Sequence, residues 1–124
     1  TYKKFQAKTN QLKYDLLNFL LKQKMNGKTV AAYGAAAKGN TLLNYCGIKS
    51  DLISFVVDAA KSKQNKYLPG SHIPIVSEEK LEETKPDYII IFPWNIKDEI
   101  SQQLNYTRRW SAQFVTVIPA IEVF

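Results

Sequence analysis

The hydrophobic positions at the start of the chain recur at the spacing of an amphipathic helix. Large apolar residues share one face of such a helix: Phe5, Leu12, Leu16, Phe19 and Leu20. Lysines occupy most of the other faces. Because Asn26-Gly27 favours a helix end, the pattern predicts one long amphipathic N-terminal helix over residues 1–26, which packs on the rest of the chain.

Beyond this helix, short apolar runs alternate with helical stretches. The runs that predict strands are 29–33, 52–57, 73–75, 87–92 and 114–118. The stretches that predict helices are 39–45, a short segment from Ser77, and 95–104. Strands that alternate with helices indicate a parallel sheet with right-handed crossovers. The sequence therefore predicts a Rossmann-like three-layer domain over residues 27–124, with a mostly parallel sheet of about five strands.

The composition fits one globular domain. Of the 124 residues, 45% are hydrophobic and 23% are charged, which is enough apolar material for a single core. No apolar run approaches the roughly 18 residues of a membrane span, and the N-terminus lacks the apolar centre of a secretory signal. Cys46 is the only cysteine and has apolar neighbours, which favours a buried thiol in a reducing compartment. We therefore expect a cytoplasmic protein without membrane contact.

The net charge of +6 belongs to the first helix. Residues 1–28 carry seven lysines and one aspartate, whereas the charges of residues 29–124 balance. A basic helix can contact phosphates, but a solvated helix face is the commoner meaning of this pattern. No stripe of aromatic and arginine residues accompanies the helix. The charge pattern therefore predicts no nucleic-acid partner.

The most informative segment joins the first strand to the first helix of the sheet, over residues 33–41. A turn of small residues lets backbone N–H groups approach a phosphate, and the positive end of the helix dipole adds to their effect. Tight packing of helix on sheet would also require small residues, but it would not require Lys38. We therefore predict an anion-binding turn formed by Gly34, Ala35, Ala36, Lys38, Gly39 and Asn40.

This turn matches two nucleotide-binding motifs only in part. Gly34 and Gly39 have the outer spacing of both a dinucleotide fingerprint and a Walker loop. The fingerprint requires glycine where Ala36 stands, and the Walker loop requires lysine where Asn40 stands. The sequence therefore disfavours ATP hydrolysis and nicotinamide binding.

Asp58 ends the second predicted strand, close to where Rossmann domains hold an acid that accepts ribose hydroxyls. A cap on the following loop explains this residue equally well. The loop carries Lys61 and Lys63 and continues to Lys66 and Tyr67. We predict that these loop residues bring charge and a stacking ring to a nucleotide diphosphate, with Lys66 and Tyr67 as the site residues and a solvated loop as the alternative.

Pro93, Trp94 and Asn95 follow the most continuous apolar run. They should project from the carboxyl edge of the sheet, where open α/β sheets bind their ligands. If the strand order is that of a Rossmann half, the strands before Gly34 and before Pro93 are adjacent, and the two turns face one crevice. Trp94 suits ring stacking and Asn95 suits hydrogen bonding to a sugar or a base. Packing of Trp94 in the core is the alternative.

Together these segments resemble the C-terminal domain of the S-adenosylmethionine-dependent sugar C-methyltransferases. The sequences that carry the resemblance are GKTVAAYGAAAKGNTLLNYCGI from Gly27, KYLPGSHIPI, PDYIIIFPWNIKDEI and the closing IPAIEV. That family transfers a methyl group to a carbon of a nucleotide-linked ketosugar in deoxysugar biosynthesis. The resemblance implies a domain that holds a nucleotide-linked sugar, of thymidine diphosphate type, against an upstream methyl-donor domain of the same chain.

The resemblance also implies what this chain lacks. S-adenosylmethionine, zinc and the general base belong to the family's upstream regions, so we expect no cofactor, no metal and no catalytic residue here. A single cysteine likewise excludes the family's zinc-binding region from this segment. The chain departs from the family at Asp58-Ala59-Ala60, where Asn-Pro is usual after the acid. It departs again at residues 108–111, where a glycine-rich turn is usual.

Two other classes of function stay open on the sequence alone. One is a free-standing Rossmann module that binds NAD or coenzyme A, and the other is a non-catalytic interaction domain that uses its basic helix. A dehydrogenase would need catalytic and substrate-binding residues beyond its cofactor fold, for which 124 residues leave little room. The sequence favours the substrate-binding domain of a methyltransferase, inactive by itself.

Overall fold

The structure is a computed structural model that describes the backbone of residues 2–35 and 37–124 and the side chains of residues 10–35 and 39–124. The α-helices are α1 (Tyr2–Met25), α2 (Ala37–Cys46), α3 (Glu79–Thr84) and α4 (Lys97–Gln103). The strands are β1 (Val30–Tyr33), β2 (Val56–Val57), β3 (Lys66–Tyr67), β4 (Pro74–Val76), β5 (Tyr88–Ile91), β6 (Gln113–Thr116) and β7 (Glu122–Val123). Two 3-10 helices span Trp94–Ile96 and Asn105–Trp110.

The strands form one sheet in the order β3-β4-β2-β1-β5-β6-β7. The central strands β4, β2, β1, β5 and β6 pair in parallel. The edge strands β3 and β7 are antiparallel to their neighbours. The predicted count of about five strands was therefore wrong, although it matches the parallel part. Both additional strands have two residues, too few to show an alternating pattern in the sequence.

Helices cover both faces of the sheet, which confirms the predicted three layers. The core under α1 and α2 contains Leu16, Leu20, Val30, Ala32, Leu43 and Val56. The core under α3 and α4 contains Ala31, Val57, Leu81, Ile89, Ile100 and Phe114. Successive strand residues thus enter opposite cores, as the pleat of a strand requires. Within the described ranges, no helix combines the length and the apolar character needed to cross a membrane.

Helix α1 packs on the sheet through the apolar face that its sequence predicts. Leu16 and Leu20 are almost fully buried. Phe19 meets the ring of Tyr88 edge to face, at 5.2 Å between centroids. The helix ends at Met25, and Gly27 takes a positive φ of 72° just beyond it. The side chain of Phe5 lies outside the described residues.

Cys46 lies at the end of α2 in the same core. The side chain is buried, which confirms the predicted buried thiol. Burial raises the pKa of the thiol, and the nearby charge of Lys13 lowers it by a smaller amount. The thiol therefore stays protonated and unreactive at neutral pH.

The docking of α1 can be tested with two leucines of the same helix. We expect Leu16→Ala to lower the free energy of unfolding by about 2–5 kcal/mol, because it leaves a cavity in the core. Leu21 is 48% exposed. Leu21→Ala should therefore change the free energy by less than about 1 kcal/mol. Urea denaturation measures both, and equally small losses would contradict the packing of α1 on the sheet.

Candidate functional site

The carboxyl ends of β1 and β5 form the switch point of the sheet. Strand β1 pairs with β5, with Tyr33 opposite Ile91, which confirms the predicted adjacency. On its other side β1 pairs with β2. The chain leaves β1 toward β2 and leaves β5 toward β6, so the two connections diverge and open a crevice between them. Open α/β sheets bind ligands at such a point.

Two glycines let the turn after β1 lie directly against the segment after β5. Gly34 has a φ of 99°, and a Cβ atom there would lie 2.7 Å from Cδ of Pro93. A Cβ atom on buried Gly39 would lie 2.8 Å from Cγ of Phe92. Real Cβ atoms do not come this close to other heavy atoms. Both glycines therefore have a packing role, whether or not the turn also binds an anion.

Asp58 ties the turn after β1 to the loop after β2. Its Oδ2 accepts the backbone N–H of Ala35 at 2.8 Å. Its Oδ1 accepts the backbone N–H of Ala60 at 2.8 Å. The second bond confirms the interpretation of Asp58 as a loop cap. The proline that the resemblance leads us to expect at position 60 has no N–H and would not make it. A contact of Asp58 with a ribose stays a prediction.

Lys63, which the sequence named only as one of several loop lysines, contacts the turn after β1. Its Nζ donates to the carbonyl oxygen of Ala35 at 3.4 Å and lies 3.9 Å from Oδ2 of Asp58. The loop that carries Lys63 is fixed by Gln64, whose Nε2 donates to the carbonyl oxygen of Asp58 at 2.8 Å. Several lysines occur in this loop, and their spacing does not show which one turns back toward Ala35.

Lys66 and Tyr67 are not brought to the crevice. They form β3 at the outer edge of the sheet, and β4 and β2 separate them from β1. The chain reverses direction after the loop of residues 59–65, so β3 pairs antiparallel with β4 and Tyr67 lies opposite Pro74. The Tyr67 ring stacks on His72 with 4.2 Å between centroids. The Tyr67 ring therefore stacks on a histidine of this chain at the outer edge of the sheet.

Trp94 and Asn95 project into solvent at the carboxyl edge. Trp94 is 43% exposed, so the alternative that placed it in the core is wrong. Asn95 is exposed as well, and Pro93 is half-buried against Gly34. The backbone N–H of Trp94 donates to the backbone carbonyl oxygen of Phe92 at 2.7 Å. This tight turn directs the chain outward immediately after the strand. An indole ring and an amide thus lie beside the crevice.

The remaining candidates lie at the start of α2. Asn40 is half-buried, and its Oδ1 is buried with no hydrogen-bond partner among the described residues. Such an acceptor costs free energy until a donor reaches it. Lys38 belongs to the first turn of α2, but its side chain lies outside the described residues. Ala36 also lies outside them.

A polar network that the sequence analysis did not predict lies on the face of the sheet that α3 and α4 cover. Gln103 donates through Nε2 to the hydroxyl of Tyr33 at 3.0 Å and to Glu78 at 2.7 Å. Tyr106 donates its hydroxyl to the same carboxylate at 2.9 Å. Burial, and then the bond to Glu78, raises the pKa of Tyr106 well above its ordinary value. The four residues come from separate segments of the chain, so no local sequence motif predicts the network.

A cavity of about 410 Å³ lies away from the crevice, between α3 and the second 3-10 helix. It is lined by Glu82, Lys85, Arg109 and Trp110. Trp110 donates to the carbonyl oxygen of Pro86, just before β5, so the cavity belongs to the amino edge of the sheet. Arg109 and Glu82 form an ion pair of 2.6 Å across it. Its position disfavours it as the ligand site of an open α/β sheet.

The fold is an open α/β domain whose switch point lies at the carboxyl ends of β1 and β5. Residues 1–119 match the C-methyltransferase C-terminal domain family, and the chain belongs to this family. The chain is also 42% identical, over 94 residues, to the C-methyltransferase NovU of Streptomyces niveus. That alignment covers 76% of this chain and 22% of the length of NovU. The family resemblance drawn from the sequence is thus confirmed.

The close approach at Gly39 can be tested by a double-mutant cycle. We expect Gly39→Ala to lower the free energy of unfolding by about 1–3 kcal/mol, because the added methyl group overlaps Phe92. In a Phe92→Ala background the same substitution should cost less, since the ring is gone. Thermal and urea denaturation of the four proteins give the coupling. Additive losses would show that Gly39 is not needed for this contact.

Proposed function

We propose that this chain is the substrate-binding C-terminal domain of an S-adenosylmethionine-dependent C-methyltransferase that acts on a nucleotide-linked ketosugar in deoxysugar biosynthesis. The nucleotide is proposed to be of thymidine diphosphate type. One observation carries the proposal: a chain of the C-methyltransferase C-terminal domain family has exposed Trp94 and a glycine-containing turn at the same switch point. The similarity to NovU, itself a C-methyltransferase, supports the proposed reaction.

The diphosphate is assigned to the start of α2. The N–H groups of the first turn of an α-helix have no acceptor within the helix, and the helix dipole is positive there. The N–H of Ala35 is already donated to Asp58, so the amides of the first turn, from position 37 onward, are the donors proposed for phosphate oxygens. Lys38 in the same turn would add a charge-assisted hydrogen bond.

The base or sugar is assigned to the β5 side of the crevice. Trp94 offers an exposed indole face for stacking, and Asn95 offers an amide for hydrogen bonds. Asn40, in the first turn of α2, adds a second amide to the proposed site, and its Oδ1 has no hydrogen-bond partner among the described residues. Asp58 can still accept a ribose hydroxyl, since each carboxylate oxygen has two lone pairs and uses one for a backbone N–H.

The methyl donor, the zinc ion and the general base are assigned to regions of the protein outside this chain. Among the side chains that the structure describes, no three His, Cys, Asp or Glu residues are grouped so that they could hold a metal ion. The role of this domain is then to bind and orient the nucleotide-linked sugar for the donor domain. The free thiol of Cys46 supports a cytoplasmic location, because reducing compartments keep such thiols.

Lys38 provides a test of the phosphate site. We expect the chain to bind thymidine diphosphate, with quenching of Trp94 fluorescence. Lys38→Ala should weaken this binding by roughly 1.5–3 kcal/mol at low salt, because a charge-assisted contact is lost. Calorimetry measures the affinity, and circular dichroism checks that the fold is intact.

Lys49→Ala is the matched control for Lys38→Ala. It removes the same charge from an exposed position after α2, away from the carboxyl edge. We expect it to leave the affinity unchanged. If Lys38→Ala and wild type bind thymidine diphosphate equally, the turn serves packing alone. If NAD binds more tightly than thymidine diphosphate, the chain is a dinucleotide module instead.

The division of labour between domains has its own test. We expect this chain alone to bind no S-adenosylmethionine and to methylate no nucleotide-linked ketosugar, because the donor site and the base are assigned elsewhere. Calorimetric titration with S-adenosylmethionine is the measurement, and titration with thymidine diphosphate shows that the same sample is active in binding. Micromolar affinity for the methyl donor would overturn the assignment.

A further inference from the structure

Lys63 holds its ammonium group over the crevice with weak contacts. The ion pair with Asp58 is 3.9 Å long, beyond hydrogen-bond range, and the bond to the carbonyl oxygen of Ala35 is long at 3.4 Å. The Lys63 side chain remains 47% exposed, whereas that of Asp58 is 15% exposed. Exposed ion pairs of this kind are worth about 0–1 kcal/mol. The ammonium group is therefore directed toward the turn after β1 without being saturated there.

Lys63 can exchange these contacts for stronger ones at little cost. A lysine ammonium has three N–H donors, and a phosphate offers charged oxygens that form shorter and stronger hydrogen bonds than a carbonyl. Ala35 directly precedes the segment that leads into α2, which the proposed function assigns to the diphosphate. Lys63 therefore already contacts the turn that leads into the proposed phosphate site.

The other lysines near this loop lack that placement. Lys61 is exposed and makes no hydrogen bond or ion pair with a described residue. Lys66 lies on the edge strand β3, and the two strands β4 and β2 separate it from β1. Only Lys63, among these three, contacts both the turn and the acid that caps it.

We propose that Lys63, rather than Lys66, is a diphosphate-binding residue of the crevice, and that Asp58 positions it. On ligand binding the ammonium leaves the carbonyl oxygen of Ala35 and donates to a phosphate oxygen of a nucleoside diphosphate. Asp58 keeps its two backbone bonds and so holds both the turn and the lysine loop in place. This inference rests on the proposed function, and it selects Lys63 from the loop lysines, whereas the sequence analysis selected Lys66.

The test compares Lys63→Ala, Lys61→Ala and Lys66→Ala by calorimetry with thymidine diphosphate, inorganic pyrophosphate and thymidine. We expect Lys63→Ala to weaken both phosphate ligands by about tenfold at low salt and to flatten the salt dependence of their affinity. Lys61→Ala and Lys66→Ala, which remove the same charge, should bind them as wild type does. Lys63→Arg should restore most of the lost affinity.

Thymidine separates phosphate binding from a structural role. It has no phosphate, so any affinity of wild type for thymidine should be unchanged in Lys63→Ala. An equal loss for thymidine and thymidine diphosphate, or a clear drop in Tm, would show that Lys63 only supports the turn. Wild-type affinity for thymidine diphosphate in Lys63→Ala would overturn this inference alone. Failure of wild type to bind any of the phosphate ligands would overturn the proposed function together with it.

Discussion

The close packing of the turn after β1 against the side chains of Phe92 and Pro93 organises the carboxyl edge of this domain. At Gly34 and Gly39 the neighbouring Phe92 and Pro93 occupy the space that a side chain would need. Glycine has more conformational freedom in the unfolded chain than alanine. Folding therefore costs about 0.5–1 kcal/mol more at each of these positions. The close packing of the turn on Phe92 and Pro93 offsets this cost, because it completes the apolar core under α2 directly beneath the crevice.

The positions of Trp94 and of the start of α2 follow from this close packing. Because Phe92 and Pro93 fill the space beneath the turn, the chain after β5 has no room to continue inward, and Trp94 emerges into solvent. The start of α2 is held at the same edge, so helix amides and an exposed indole lie on the two sides of one switch point. The large side chains beneath this edge are buried, whereas those around it are exposed. The crevice thus has a packed floor and an exposed rim.

Electrostatics fixes the third side of the crevice. Asp58 uses both oxygens on backbone N–H groups, one from the turn after β1 and one from its own loop. A half-buried carboxylate attracts a cation, and Lys63 of the same loop forms a long ion pair with Asp58. The excess positive charge of the chain, by contrast, lies on α1, which packs on the sheet through its apolar face. Net charge by itself therefore indicated nothing about the ligand site.

The sequence was sufficient where a property depends on neighbours along the chain. The apolar spacing of Leu16 and Leu20 predicted the buried face of α1, and the continuous run before Pro93 predicted a central strand. The switch point between β1 and β5 was predicted on the condition of a Rossmann strand order, and the pairing of these strands in the structure supplied that order. The short edge strands β3 and β7 could not be predicted, since two residues form a strand only when a partner is present.

Tertiary structure alone decided which residues meet at the crevice. A buried and an exposed Trp94 were equally compatible with the sequence, because the exposure of a side chain depends on how distant segments pack around it. Lys63 and Lys66 are equivalent in a polar loop, and only the reversal of the chain into β3 separates them. Tyr33, Glu78, Gln103 and Tyr106 form a network across separate segments. Local pattern determines the elements, whereas contacts between distant residues depend on packing that no single segment encodes.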